Sequence, residues 1–177
     1  METLIVNLSG QPGAGKSTGS AYIFSKLKMA GINCEYVSEF CKDKQWEDTK
    51  AVFENQLYIF GKQSFKISRA SGKVDVIITD APLYVSSIYN PYEGQLKTKF
   101  DALVLEVFNT YNNLNFFVKR VKEYNPVGRF QTEDESDQIA KTIKTFLNEN
   151  WIRFREIEGN EEGYNSVVEQ VISKIKT

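Results

Sequence analysis

Apolar positions along this chain switch between short continuous runs and a spacing of three or four, and the switches divide it into elements. Leu4, Ile5, Val6 and Leu8 make a short apolar run interrupted only by Asn7. Such a run fits a strand buried on both faces, and it predicts a strand over about Thr3–Leu8. From Ser17 to about Met29 the chain reads as a helix, where Lys28 suits the negative end and Gly31 supplies a stop. Ile32–Val37 reads as a second strand, Cys41–Asp48 as a polar stretch, and about Glu47–Ala70 as a long helix broken by Ser71-Gly72-Lys73. Val74–Thr79 reads as a third strand. Ala81-Pro82 opens a short helix to about Tyr89, and Asn90–Gly94 reads as a turn. A helix over about Lys97–Tyr111 and a strand over Asn115–Val118 follow. Lys119–Thr132 has little periodicity and carries Pro126 and Gly128. Thr132, followed by Glu133, Asp134 and Glu135, caps a helix to about Leu147. Trp151–Ile157 reads as the fifth strand, Gly159-Asn160 as a turn and Glu161–Ile175 as the last helix.

Strands alternating with helices argue for a largely parallel sheet with helices on both faces. Open sheets of this kind bind ligands at the carboxyl ends of their strands. Gly10, Glu39, Asp80 and Lys119 all fall at that edge. With 177 residues, 41% hydrophobic and 25% charged, the chain reads as one soluble domain spanning 1–177. Its apolar runs are too short to span a membrane, and no leader is evident. A cytoplasmic location is therefore expected (the host cytoplasm if the chain is phage-encoded). The 22 basic and 23 acidic residues give no global charge excess that would advertise a nucleic-acid grip. Cys34 and Cys41 have no metal-site spacing, so reduced thiols and no structural metal are expected. The absence of histidine removes Ser-His-Asp chemistry, so any general base is a carboxylate or another group.

The sharpest signal is Gly10-Gln11-Pro12-Gly13-Ala14-Gly15-Lys16-Ser17, which meets G-x-x-x-x-G-K-[ST] at every fixed position, between a strand and a helix. Glycines let successive backbone N–H groups turn into one concavity. The helix start adds unpaired donors and the positive end of its dipole. Gly10 to Thr18 are therefore expected to bind ATP (or GTP), with Lys16 on the β/γ-phosphates and Ser17 on Mg²⁺. The fold expected is a three-layer α/β sandwich of the P-loop NTPase type, with a five-stranded mostly parallel sheet and a basic lid over about 119–132.

Asp80 ends the most hydrophobic strand and suits holding Mg²⁺ or taking a proton; as a bland alternative it caps the next turn. Glu39 ends the second strand, where a carboxylate could orient an acceptor hydroxyl and accept its proton. Glu39 and Asp80 compete for the role of base. Gln56 and Gln63 lie seven residues apart on one helix face near Phe53 and Phe60. That mix of amide and aromatic groups suits a nucleobase, although a core helix with peripheral glutamines reads the same way. Lys119–Arg129 carries four basic residues against one acidic. It suits a lid that brings Arg120, Lys122 and Arg129 over the phosphates.

With these residues placed, the chain resembles the P-loop nucleoside and nucleotide kinases. It is most similar to the branch of the ribosylnicotinamide-kinase domain and many small phage-encoded ATP-binding proteins. Tyr36-Val37-Ser38-Glu39-Phe40 resembles that branch's second strand with its substrate-side glutamate. Asn55-Gln56-Leu57-Tyr58-Ile59-Phe60-Gly61-Lys62-Gln63 resembles the following helix, and Arg120–Thr132 the lid. The resemblance spans about Leu4–Ile157. It implies an ATP- and Mg²⁺-dependent kinase acting on a hydroxyl of a nucleoside-like acceptor, with Glu39, Phe40, Gln56, Phe60 and Gln63 on the substrate side. Among phage relatives the chain is similar to the 5-hydroxymethyluracil DNA kinases, which implies a modified base in DNA as acceptor. Cys41-Lys42-Asp43 stands where the ribosylnicotinamide branch usually has an arginine, which argues against that substrate. Readings that compete are a free nucleoside or nucleotide kinase and, in another class, a nucleotide-driven ATPase or switch. Oligomeric state is not legible in the sequence.

Overall fold

The computed structural model describes residues 2–41, 44, 50–125 and 132–176. Its strands are β1 (Leu4–Ser9), β2 (Cys34–Val37), β3 (Val76–Thr79), β4 (Asn112–Lys119) and β5 (Arg155–Glu158). They form one sheet in the order β2-β3-β1-β4-β5, and every pairing is parallel. The helices among the described residues are α1 (Lys16–Met29), α2 (Lys50–Phe53), α3 (Gln56–Ser68), α4 (Val85–Ile88), α5 (Gly94–Asn109), α6 (Glu133–Glu149) and α7 (Glu161–Ile175). None of these helices is long and apolar enough to cross a membrane.

The central strand shows why three layers form. Every residue of β1 is buried, and alternate side chains go to opposite faces. Leu4, Val6 and Leu8 pack with Ile23 and Leu27 of α1 and with Val167 and Val171 of α7. Ile5 goes to the other face, with Phe60 of α3, Phe100 and Val104 of α5, and Leu147 of α6. The chain leaves β1 toward β2 and leaves β3 toward β4, with the covering helices on opposite faces. A crevice therefore opens at the strand ends between β1 and β3.

Three boundaries differ from the sequence reading for identifiable reasons. The long helix over about Glu47–Ala70 is two helices where it is described, because the Asn55 side chain caps α3 by accepting from the Tyr58 N–H at 3.0 Å. Strand β4 begins at Asn112 rather than Asn115, because its asparagines are paired. Asn7 Nδ2 on β1 donates to Asn113 Oδ1 and Asn115 Oδ1, both at 2.9 Å, so buried amides are tolerated in mid-sheet. Strand β5 starts at Arg155 rather than Trp151. There α6 ends in a Schellman turn with Trp151 at φ 55°, the Ile152 N–H donating to Leu147 O at 2.9 Å and the Trp151 N–H to Asn148 O at 3.1 Å.

Candidate active site

The loop between β1 and α1 has the backbone its sequence demands. Gly10, Gly13 and Gly15 have φ of 146°, 83° and 96°, a region costly for side-chain-bearing residues. A Cβ on Gly10 would meet Val118 O of β4, and one on Gly15 would meet the Tyr164 hydroxyl. The loop is braced from behind. Tyr164 Oη of α7 donates to Gly15 O at 3.0 Å, and Ser136 Oγ of α6 donates to Pro12 O at 2.9 Å. Lys16 Nζ lies across the loop, donating to Gly10 O at 2.9 Å and Gln11 O at 3.2 Å. Ala14 and Gln11 are buried and Thr18 is exposed. Gln11 Oε1 has no hydrogen-bond partner, while its Nε2 reaches Asp137 Oδ1 at 3.5 Å. A glycine cradle opening on a helix start, with a lysine at its rim, is built for a polyphosphate.

Beside the loop, Asp80 follows β3 and is 2% exposed. Its Oδ2 accepts from Tyr36 Oη at 3.0 Å and its Oδ1 from the Glu39 backbone N–H at 3.0 Å. Burial, then the Asp80 charge, pushes the Tyr36 phenol well above its usual range, while the hydrogen-bonding Ser17 hydroxyl acts in the opposite sense. Asp80 thus bonds a phenol that lies beside Ser17 of the phosphate loop. One hydroxyl and one carboxylate, completed by phosphate oxygens and water, suit Mg²⁺, which is normally held by few protein ligands. Among the described residues no group of three or more His, Cys, Asp or Glu side chains could hold a metal by itself.

The segment after β2 is pinned to α3. Gln63 Oε1 accepts from the Phe40 N–H at 3.0 Å, and Lys66 Nζ donates to Ser38 O at 2.6 Å and Ser38 Oγ at 3.0 Å. Glu39 is held between them, half-buried. Its charge reaches Cys41 and Tyr89, both pushed up to about 12, by burial first and by Glu39 next. Phe40 lies edge-on to Tyr58 with ring centroids 5.6 Å apart.

Several placements add partners that the sequence does not show. Gln63 is spent on the Ser38–Phe40 backbone rather than held open for a ligand. Phe60 is a core residue, edge-on to Phe100 at 5.8 Å, and Gln56 is buried at the start of α3. Arg120 is bonded to the start of α6, whose Ser136 and Asp137 also contact the loop at Pro12 O and Gln11 Nε2. Its guanidinium donates to Glu133 Oε1 at 2.8 Å, Asp137 Oδ1 at 2.9 Å and Ser136 Oγ at 3.4 Å, drawn there by the acidic first turn of α6. Lys122 is exposed. Arg129, with the rest of 126–131, lies outside the described residues. Sequence reasoning missed Tyr36, Tyr89 and the loop braces Ser136 and Tyr164. A tyrosine in a strand or helix reads as packing until its hydroxyl is located.

Fold and loop together define an α/β protein of the P-loop class, with a phosphate cradle facing a second, carboxylate-bearing loop. A family model described as an AAA domain matches residues 5–163, and the chain belongs to that family. No curated protein matches the sequence. Among solved structures the chain is similar to thymidylate kinase from Ehrlichia chaffeensis, at a TM-score of 0.62 and 14% identity, over 100% of both chains. It is also similar to deoxyadenosine kinase from M. mycoides with products dCMP and dCDP bound, at a TM-score of 0.54 and 20% identity, covering 97% of this chain and 98% of that one. At these identities the likeness establishes the fold.

Proposed function

We propose that the protein is a kinase that transfers the γ-phosphate of ATP (or GTP) to a hydroxyl of a nucleoside-like acceptor. One observation carries this reading. Asp80 is bound through one oxygen to Tyr36, beside Ser17 of the phosphate loop, and through the other to the backbone of Glu39. A donor cradle is thereby tied to a second carboxylate, which a switch or a simple ATPase does not need.

In this mechanism the loop N–H groups and Lys16 hold the β/γ-phosphates, and phosphate displaces the carbonyls that Lys16 now contacts. Ser17 and Asp80 would hold Mg²⁺, which supplies neutralisation of the bridging phosphate oxygens. Glu39 orients the acceptor hydroxyl and takes its proton as the new O–P bond forms and the bond to the β–γ bridging oxygen breaks. Little covalent work falls to the protein; positioning and charge do the rest.

The finer reading places the acceptor on a DNA strand, as the 5-hydroxymethyl group of a hydroxymethyluracil base. What supports it is the surface of α3. From Asn55 to Val74 the chain carries Lys62, Lys66, Arg69 and Lys73 and no acidic residue, in a chain of 22 basic and 23 acidic residues. Tyr58, Lys62, Phe65 and Arg69 recur at helical spacing and are all exposed, Tyr58 by 42% and Phe65 by 66%. Aromatic faces interleaved with cations suit the stacked bases and phosphates of a single strand. A free nucleoside or nucleotide kinase is the second reading, favoured by the names of the two structural neighbours. Transfer of radiolabelled γ-phosphate, scored against nucleosides, nucleotides and hydroxymethylated oligonucleotides, separates them. Transfer to the oligonucleotide alone upholds the finer reading. Transfer to a free nucleoside alone replaces it, and hydrolysis that no acceptor accelerates overturns the kinase.

A further inference from the structure

Tyr36 sits on β2 opposite Ile78 of β3, two residues before Asp80, so its ring projects along the same edge as the Asp80 carboxylate. Its hydroxyl has one proton to give and gives it to Asp80 Oδ2 at 3.0 Å. The phenolic oxygen keeps its lone pairs on the side of the phosphate loop's Ser17. Asp80, accepting one bond on each oxygen, retains acceptor positions on both. From these contacts we infer that Tyr36 is a positioning residue, whose hydroxyl fixes the Asp80 carboxylate in the orientation that a metal–nucleotide complex requires. The inference rests on the phosphate-site reading of Gly10–Ser17 and extends it to a residue outside the motif.

The physical case is one of redundancy removed. Without the phenol, Asp80 keeps its bond from the Glu39 N–H, which belongs to the acceptor-side segment. The carboxylate would then turn with that segment instead of staying aimed at the phosphate loop. Outer partners that orient a metal-binding carboxylate or imidazole are typically worth 10- to 100-fold in metal affinity.

The test uses Mn²⁺ as a paramagnetic substitute for Mg²⁺, titrated into the whole protein with ADP and followed by electron paramagnetic resonance. Tyr36→Phe keeps the ring and its packing on Phe24, 6.5 Å away, and deletes only the hydroxyl. The expected result is about a tenfold weaker Mn²⁺ affinity in the ADP complex, with metal-free ADP affinity unchanged. Phe24→Leu, which disturbs the packing of the same ring, should leave Mn²⁺ affinity as in the wild type. Wild-type Mn²⁺ affinity in Tyr36→Phe overturns the inference and leaves the phosphate site standing. Equal weakening in both variants also overturns it, because the effect would then be packing. A wild-type protein that binds neither ADP nor Mn²⁺–ADP overturns the phosphate-site reading and the inference with it.

Discussion

Gly159→Ala tests how the last strand–helix connection shapes the phosphate loop. Gly159 follows β5, and its N–H donates to Lys119 O at 2.9 Å. A methyl built there would run into Ala14 O of the loop and stand 3.0 Å from Lys119 O and 3.3 Å from Ala14 C. All of these are backbone atoms, so no flexible side chain can yield. Gly159 has no positive φ, so the penalty is steric alone. Overpacking of this kind costs about 1–3 kcal/mol, and rigid neighbours on two sides put this site at about 2–3 kcal/mol. For a domain of this size, that lowers the midpoint of thermal unfolding by about 4–12 °C. The displaced carbonyl lies within the loop, so ADP affinity, measured by calorimetric titration, should fall by more than tenfold as the neighbouring N–H groups lose their aim. Gly61→Ala is the matched control. It lies inside α3 with nothing within 4 Å of the added methyl, and should stabilise by about 0.5–1 kcal/mol through helix propensity. A Gly159→Ala protein with wild-type stability and ADP affinity would refute the claim that this turn holds the loop.

Lys16→Ala should abolish γ-phosphate transfer while moving the unfolding midpoint by no more than a few degrees, because the half-exposed Lys16 ammonium donates to the loop carbonyls Gly10 O and Gln11 O. Burial and the Glu39 charge raise the folded pKa of Cys41 and Tyr89 to about 12, so their contribution to stability is whole below their unfolded pKa values and is lost as pH rises toward 12. Urea midpoints should therefore decline between about pH 8.5 and 11, with a shallower decline in Cys41→Ala. Trp151→Gly relieves a left-handed backbone, and the indole, 91% exposed, surrenders little packing. It should raise stability by about 1 kcal/mol in chemical denaturation.

The legible parts of the molecule were those in which one local stretch carries the whole constraint. Gly10–Ser17 was readable because positive φ at three glycines and the strand and helix that flank them are local properties. The layers follow from β1, where burial on both faces favours an apolar run interrupted only at Asn7 before Leu8. What stayed hidden was long-range polar pairing. Asn7 meets Asn113 and Asn115 across more than a hundred residues, and nothing in a lone asparagine announces such partners. Arg120 showed the converse. Its charge is evident in the sequence, but a count of basic residues does not say that Glu133 and Asp137 pair with it. The partner of Gln63 is not legible either, since an amide that can bond a base can equally bond the Phe40 backbone, as it does here.

The choice between Asp80 and Glu39 as base turns on the same pairing logic. Asp80 is 2% exposed and already accepts a bond on each oxygen, one from each side of the site. Its geometry is that of a brace between donor and acceptor segments, and a brace that took up a proton would release one of them. Glu39 contributes its backbone N–H to that brace and leaves its carboxylate on the side of Tyr89 and Cys41. Asp80→Asn consequently cannot isolate a proton-transfer role, because an inverted amide would set an N–H against the Glu39 N–H or the Tyr36 hydroxyl and disturb both halves together. Glu39→Gln is the cleaner probe, since the backbone bond to Asp80 survives. It should lower kcat at least a hundredfold with the KM for ATP held. A wild-type kcat in Glu39→Gln would return the role of base to Asp80, and the brace would then have to open during turnover.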